Sequence, residues 1–362
     1  MAWLPVALAA FFLYAVAVVT DKFMLTKTAV VPLSYAFYIC LMSAAASLVL
    51  YLLNLARSAG SLDRYIPILI AEGRQFLPRG FPLASVAVSG AAQFFGLLFM
   101  FEAVQRGEVS KASPVIVSLQ PVVSLLLTLA LPPLFALVAP RTPLGLELVA
   151  ARRLPGVAMI VAGSYLLSQA GGKKTAFTPG TWMYVLLAGF LLAVANVFAS
   201  VSYTVFEGAY LPAAAGEVDR ERMFLKAFMW TRWMSLAGAL GYVTLTGRFS
   251  AVSRKKPAAT KPGGGSTGGE PQVRAGWVPL VFLLGQGCGA LAVLLQQIAI
   301  KLGNVVVVTA LGGVQFFFVI ALSAALSRAF PQLLSEASAR GVLVKKALWS
   351  VLLFGGIVLL AV

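Results

Sequence analysis

The apolar second half of this chain repeats its first, and that repetition narrows the available folds more than any other feature. AVQRGEVSKASPVIVSLQPVVSLLLTLAL (Ala103 to Leu131) aligns with AIKLGNVVVVTALGGVQFFFVIALSAAL (Ala299 to Leu326), which sets Gly107 on Gly303 at an offset of 196. LPGVAMIVAGSYLLS (Leu154 to Ser168) aligns with ALWSVLLFGGIVLLA (Ala347 to Ala361), which sets Gly163 on Gly356 at an offset of 193. The near agreement of the offsets points to a duplicated unit rather than to two chance matches. Each unit is a string of apolar runs, so the fold must bury apolar segments in pairs related by the duplication.

The length of those runs says what surrounds them. They are roughly 18–25 residues long, the length of a helix that crosses a bilayer. Of the 362 residues, 60% are hydrophobic and only 11% charged, with a mean hydropathy of +0.91; a soluble domain is about half apolar and a quarter charged. Barrel strands alternate polar and apolar residues, and these runs do not. The expected class is an all-α integral membrane protein, multi-pass, in the cell (plasma or inner) membrane. MAWLPVALAAFFLYAVAVV at the start has no Lys or Arg ahead of its apolar run and more such segments follow, so it reads as a first transmembrane helix rather than a signal peptide.

Composition also excludes chemistry. The chain has no histidine, which removes histidine metal sites, histidine bases and Ser-His triads; the expectation is no enzyme, no cofactor and no metal. Cys40 and Cys288 both lie in apolar runs and read as buried thiols. The net charge of +16 is carried between apolar segments, where anionic headgroups, not nucleic acid, are the expected partner.

Ten spans are predicted: about 2–20, 33–56, 83–104, 112–134 and 154–170 in a first repeat, 1–172, and about 181–206, 224–246, 277–300, 305–326 and 346–362 in a second, 178–362. Gly107, Ser110 and Pro114 mark a tight joint between the third and fourth helices, and Gly303-Asn304 marks its echo between the eighth and ninth. Gly156, Gly163, Gly355 and Gly356 suit close packing of the last helix of each repeat. SRKKPAATKPGGGSTGGEPQ (Ser253 to Gln272), inside an insert at 248–276, has the composition of a disordered loop. The loops on the side of the termini carry 11 cations and the opposite loops 16, a weak preference for termini outside by the positive-inside rule. Equivalent loops of two five-helix units fall on opposite faces, so an inverted duplication evens out the tally.

The joint FEAVQRGEVSKASPVIVSLQPV (Phe101 to Val122), its echo QQIAIKLGNVVVVTALGGVQ (Gln296 to Gln315), and the closing helices RRLPGVAMIVAGSYLL and KKALWSVLLFGGIVLL resemble the EamA-type permeases of the drug/metabolite transporter superfamily. The resemblance spans nearly the whole chain apart from the insert. It implies ten transmembrane helices as two inverted five-helix repeats, both termini cytoplasmic, and a central substrate cavity lined by helices 1–4 and 6–9 with helices 5 and 10 outside. The chain departs from the pattern after the fourth helix, where PPLFALVAPRTPLGLELVA (Pro132 to Ala150) replaces a short glutamate-containing turn; Glu147 and Glu336 match that glutamate loosely. Arg232 fills a position near the start of a repeat's second helix where an arginine is common, whereas the first repeat has Cys40 and Leu41 there, without charge.

Polar groups inside a bilayer are costly and mark candidate sites. Gln120, next to the helix-weakening Pro121, and Gln315, just after Gly312-Gly313, are related by an offset of 195. The pair is expected to face one cavity; the competing reading is that each amide bonds a neighbouring helix. Arg232, in FMWTRWMS, would attract an anionic or carboxylate-bearing solute, or else snorkel to the interface beside Trp230 and Trp233. Asn196, Gln93, Gln286, Gln296 and Tyr14 complete the substrate-binding candidates. Asp21 is read as lying at a helix end, and no acidic group is expected deep in a span, which leaves proton coupling through a midplane carboxylate unsupported. The expected function is a permease that moves a small metabolite or drug-like solute by alternating access between the repeats. The alternative is a flippase of a lipid-linked substrate. Partners are a small solute and the bilayer, with a homodimer left open.

Overall fold

The computed structural model of the chain describes residues 2–27, 31–59, 76–106, 109–138, 146, 151–169, 179–212, 215–249, 277–319, 321–322, 348–349, 351–352 and 355–359. These are overwhelmingly helical, with no strand among them. The helices are α1 Trp3–Lys27, α2 Pro32–Ala59, α3 Phe81–Arg106, α4 Val109–Val138, α5 Leu154–Gln169, α6 Pro179–Tyr210, α7 Glu217–Leu245, α8 Trp277–Leu302 and α9 Val305–Leu311. A 3-10 turn, Gly312–Val314, follows α9, and helix resumes at 315–319.

Six of these helices are long and apolar enough to cross a membrane: α1, α2, α3, α4, α6 and α8. Helices this apolar all round fit lipid on one side and protein on the other. Exposed Leu126, Leu129, Leu283 and Leu284 are the lipid-facing kind of surface, while Phe94, Phe101 and Phe206 are fully enclosed. The chain is a multi-pass membrane protein. α7 is not among them, because even past its first two turns it carries Lys226, Arg232 and several Thr, Ser and Trp residues; those two turns add Glu217, Asp219, Arg220, Glu221 and Arg222. Those charges also explain a shift of its start: hydropathy places the span at 224, but the helix begins at Glu217. Its acidic first turn complements the helix dipole. Arg232 is therefore about 22 Å into α7 at 1.5 Å per residue, deeper than the sequence suggested.

The helices pair crosswise. α1 packs along α8, α3 along α6, and α2 along α7, so the first half is threaded through the second. Glycines set the closest approaches. A Cβ added at Gly90 of α3 would sit 2.5 Å from Met234 Cβ and from the Ser235 backbone nitrogen of α7, and one added at Gly285 of α8 would collide with Thr20 of α1. Gly356 lies against Ile160 and the Gly156 carbonyl of α5, as the sequence glycines anticipated. The α8–α9 joint is a side-chain cap: Asn304 Oδ1 accepts from the Val306 amide at 2.9 Å. Its counterpart at Gly107-Glu108, the side chains of Ser110 and Lys111, the Glu147 and Glu336 positions and the insert from 250 to 276 lie outside the described residues.

Candidate functional site

A cavity of ≈ 180 Å³ lies between the helices, with walls from α1, α2, α3, α4, α6, α7, α8 and the α9 region, and none from α5. It runs along α1 from Phe11 to Asp21. Two helix irregularities meet at one wall. Pro121 in α4 has no amide to offer the Val117 carbonyl, and Val117 touches the 3-10 turn, where a Cβ on Gly312 would come within 2.9 Å of it.

All eight residues singled out from the sequence border this cavity: Tyr14 of α1, Gln93 of α3, Gln120 of α4, Asn196 of α6, Arg232 of α7, Gln286 and Gln296 of α8, and Gln315 beyond α9. Several are tied to other helices. Tyr14 donates to Gln296 Oε1 at 2.7 Å. Tyr203 of α6 donates to Gln297 Oε1 at 2.9 Å, Gln297 Nε2 donates to Asn196 Oδ1 at 3.2 Å, and Asn196 Nδ2 reaches Gln120 Oε1 at 3.4 Å. This line of amides holds α4, α6 and α8 together across the cavity floor. Gln120 thus does serve as interhelical glue. Its expected partner Gln315 does not: Gln315 and Gln93 make no hydrogen bond to another described residue, so their amides are left for whatever fills the cavity.

Arg232 is the cavity's cation. Only 4% of it is exposed, its Nε has no hydrogen-bond partner, and among the described residues no carboxylate pairs with it. Its guanidinium lies over the Phe228 ring at 5.2 Å. It does not snorkel to an interface. One turn on, Ser235 meets Cys40 of α2 at 3.2 Å; Cys40 and Cys288 are both free thiols.

Sequence reasoning missed Asp21. The hydropathy window ends near residue 20, but α1 continues to Lys27, which puts Asp21 inside the helix and on the cavity wall. Tyr35 of α2 donates to Asp21 Oδ1, Gln286 Nε2 reaches the same oxygen at 3.4 Å, and Gln286 also donates to the Tyr35 hydroxyl at 3.0 Å. Asp21 therefore stands inside α1 rather than at the helix end, although it is the last residue of the apolar span Trp3–Asp21. Gln297, next to the chosen Gln296, was missed as well.

A second pocket of ≈ 270 Å³ opens between α6, α8 and α9 beyond the cavity floor, bordered by Ser200, Tyr203, Glu207, Lys301 and Asn304. Glu207 pairs with Lys301 at 2.8 Å, and Lys301 also donates to the Arg220 carbonyl at 3.2 Å. Tyr203 borders this pocket while its hydroxyl bonds Gln297 on the cavity side.

No known protein-family profile matches the chain, and no curated protein matches its sequence. A solved crystal structure resembles it with a TM-score of 0.53 at 16% sequence identity, covering 99% of this chain and 96% of that one. At that identity the likeness speaks for the fold alone.

Proposed function

We propose that this chain is a membrane permease of the EamA-like drug/metabolite type, in which two inverted five-helix repeats alternate the access of one central cavity. The observation that carries the proposal is a buried cavity, walled by helices of both halves, that holds a guanidinium without a carboxylate and two amides, Gln93 and Gln315, without hydrogen bonds among the described residues. Uncompensated polar groups are expensive inside a membrane protein, and a ligand that pairs with them is a physical reason to keep them. The crosswise packing supports the repeat: α1 against α8 and α6 against α3 is the same contact, first helix on third, made twice with the halves exchanged. Alternating access by rocking of repeats needs such a shared midplane site.

The solute is small, and neutral or anionic groups are favoured by Arg232 and the amides. The test is uptake of a labelled metabolite panel into liposomes containing the purified protein, alongside a fluorescent-lipid scrambling assay. Saturable solute uptake, reduced in Arg232→Gln, is the expected result. Lipid movement without solute movement would transfer the reading to a flippase, and movement of neither would refute transport.

A further inference from the structure

The central cavity and the second pocket lie in line along one groove. On α6, Asn196 borders the cavity, and Ser200, Tyr203 and Glu207 border the pocket; on α8, Gln297 borders the cavity and Lys301 the pocket. Steps of three and four residues keep each set on one face of its helix. The groove runs on to the helix ends, since α6 closes at Tyr210 and α8 at Leu302. α1 fixes its direction. Gly303 borders the pocket and lies against Trp3, while the cavity starts at Phe11, about 12 Å farther along α1 by helical rise.

Two polar layers cross this groove. In the inner layer Tyr203 donates to Gln297 and Gln297 to Asn196, at 2.9 and 3.2 Å. In the outer layer Lys301 meets Glu207 at 2.8 Å, and the two side chains are 26% and 29% exposed, which places this layer at the outer rim. The corresponding groove of the first half, between α1 and α3, is built differently. Tyr14 and Asp21 of α1 bond to α8 and α2, and among the described residues no hydrogen bond joins either of them to α3. Val18 and Asp21 on one side, and Leu97 and Phe101 on the other, border the cavity itself. Equivalent grooves, one bridged and one continuous with the cavity, are what one state of an alternating pair requires. Neutral hydrogen bonds and a partly exposed ion pair are individually weak, so both layers are of a kind that opens and recloses.

We propose that Tyr203, Gln297 and Asn196, with the Glu207–Lys301 pair outside them, are the closed gate of this protein, and that the second pocket is the vestibule beyond the gate on the Trp3 face. This rests on the permease reading, but its test needs no solute. Cys40 and Cys288, the only two cysteines, are replaced by serine in the full-length protein. Single cysteines are then placed at Thr204 in the pocket, at Ala290 in the cavity, and at Ala193, which is buried and borders neither. In proteoliposomes oriented by an amino-terminal tag, a membrane-impermeant cationic methanethiosulfonate is added on the Trp3 face. Thr204→Cys is expected to react at least tenfold faster than Ala290→Cys. Adding Tyr203→Phe and Glu207→Gln together should speed Ala290→Cys at least threefold and leave Thr204→Cys unchanged. Ala193→Cys stays unreactive if the fold is intact; where the added changes unfold the protein, the order of the first two rates decides. Equal rates at 204 and 290, no reaction at 204, or an intact protein whose rate at 290 ignores both changes would overturn the gate. Solute uptake alongside any of those results leaves the permease standing with its passage elsewhere. The expected rates without uptake of any solute would fault the permease reading and keep the gate.

Discussion

The two pockets on either side of Tyr203 handle charge in opposite ways. In the pocket between α6, α8 and α9, the Lys301 ammonium has its carboxylate at 2.8 Å and a backbone carbonyl at 3.2 Å. In the central cavity the Arg232 guanidinium has neither among the described residues, although it is far more deeply buried. The first arrangement sets charge against charge and ties α6 to α8, although Glu207 Oε1 accepts no well-aligned hydrogen bond. The second lacks a countercharge among the described residues, and something that enters can supply it. Unmet demand, more than polarity, separates a binding site from a structural contact in this fold.

The comparison can be broken most severely through the cavity wall itself. Gly90→Leu forces side-chain atoms into the Met234–Ser235 backbone and is expected to cost about 3 kcal/mol of stability. The loss would be read as a lower Tm in detergent, with ligand binding lost in parallel. Next, Arg232→Gln should cut ligand affinity at least tenfold while leaving the Tm unchanged or raised, because removing an unpaired buried charge removes a desolvation penalty. A large fall in Tm would mean that the guanidinium is structurally paired after all. Tyr203→Phe strips Gln297 Oε1 of its donor and is expected to cost ~1–2 kcal/mol. It should also raise labelling of a cysteine introduced at Gln297 by a reagent applied from the second-pocket side; unchanged labelling would show that the hydroxyl is not part of the wall. Smallest is Glu207→Gln, which breaks a partly solvated pair for less than about 1 kcal/mol. Its effect on Tm should shrink further in high salt, and a salt-independent loss would place that pair in the unmet class beside Arg232.

Much of this was visible in the residues. Amides such as Gln93, Asn196 and Gln296 stand out because nothing else explains them in runs of Leu, Val and Ala, and the duplication singled out Gln120 and Gln315. Which amides would be spent on neighbouring helices was not visible, since that depends on rotation about helix axes: Gln120 faces Asn196, and Gln315 faces open space. Asp21 was hidden by its neighbour. Asp21-Lys22 reads as the polar end of a span, whereas two further turns of helix carry α1 onward and leave the carboxylate against Tyr35 and Gln286. Tyr203 gave no signal, because a tyrosine in an apolar helix is ordinary until its hydroxyl finds a specific acceptor. The helix count owes most to apolar length. α7 shows where that criterion weakens, since a helix whose buried face holds Lys226 and Arg232 is held by its neighbours α2 and α3 rather than by its own hydropathy.

The crosswise pairing has a consequence for biosynthesis. During translation α1 is made long before the helix it packs along, which begins only at Trp277. Until α8 emerges, the small-residue face of α1 around Thr20 has no mate, and α3 waits likewise for α6. These pairings are therefore deferred until α6 and α8 have been made, and long-range pairing of this kind is slow and exposed to misassembly. The amino-terminal half made alone should be a substrate for membrane proteases, and co-production of the carboxy-terminal half as a separate polypeptide should rescue it.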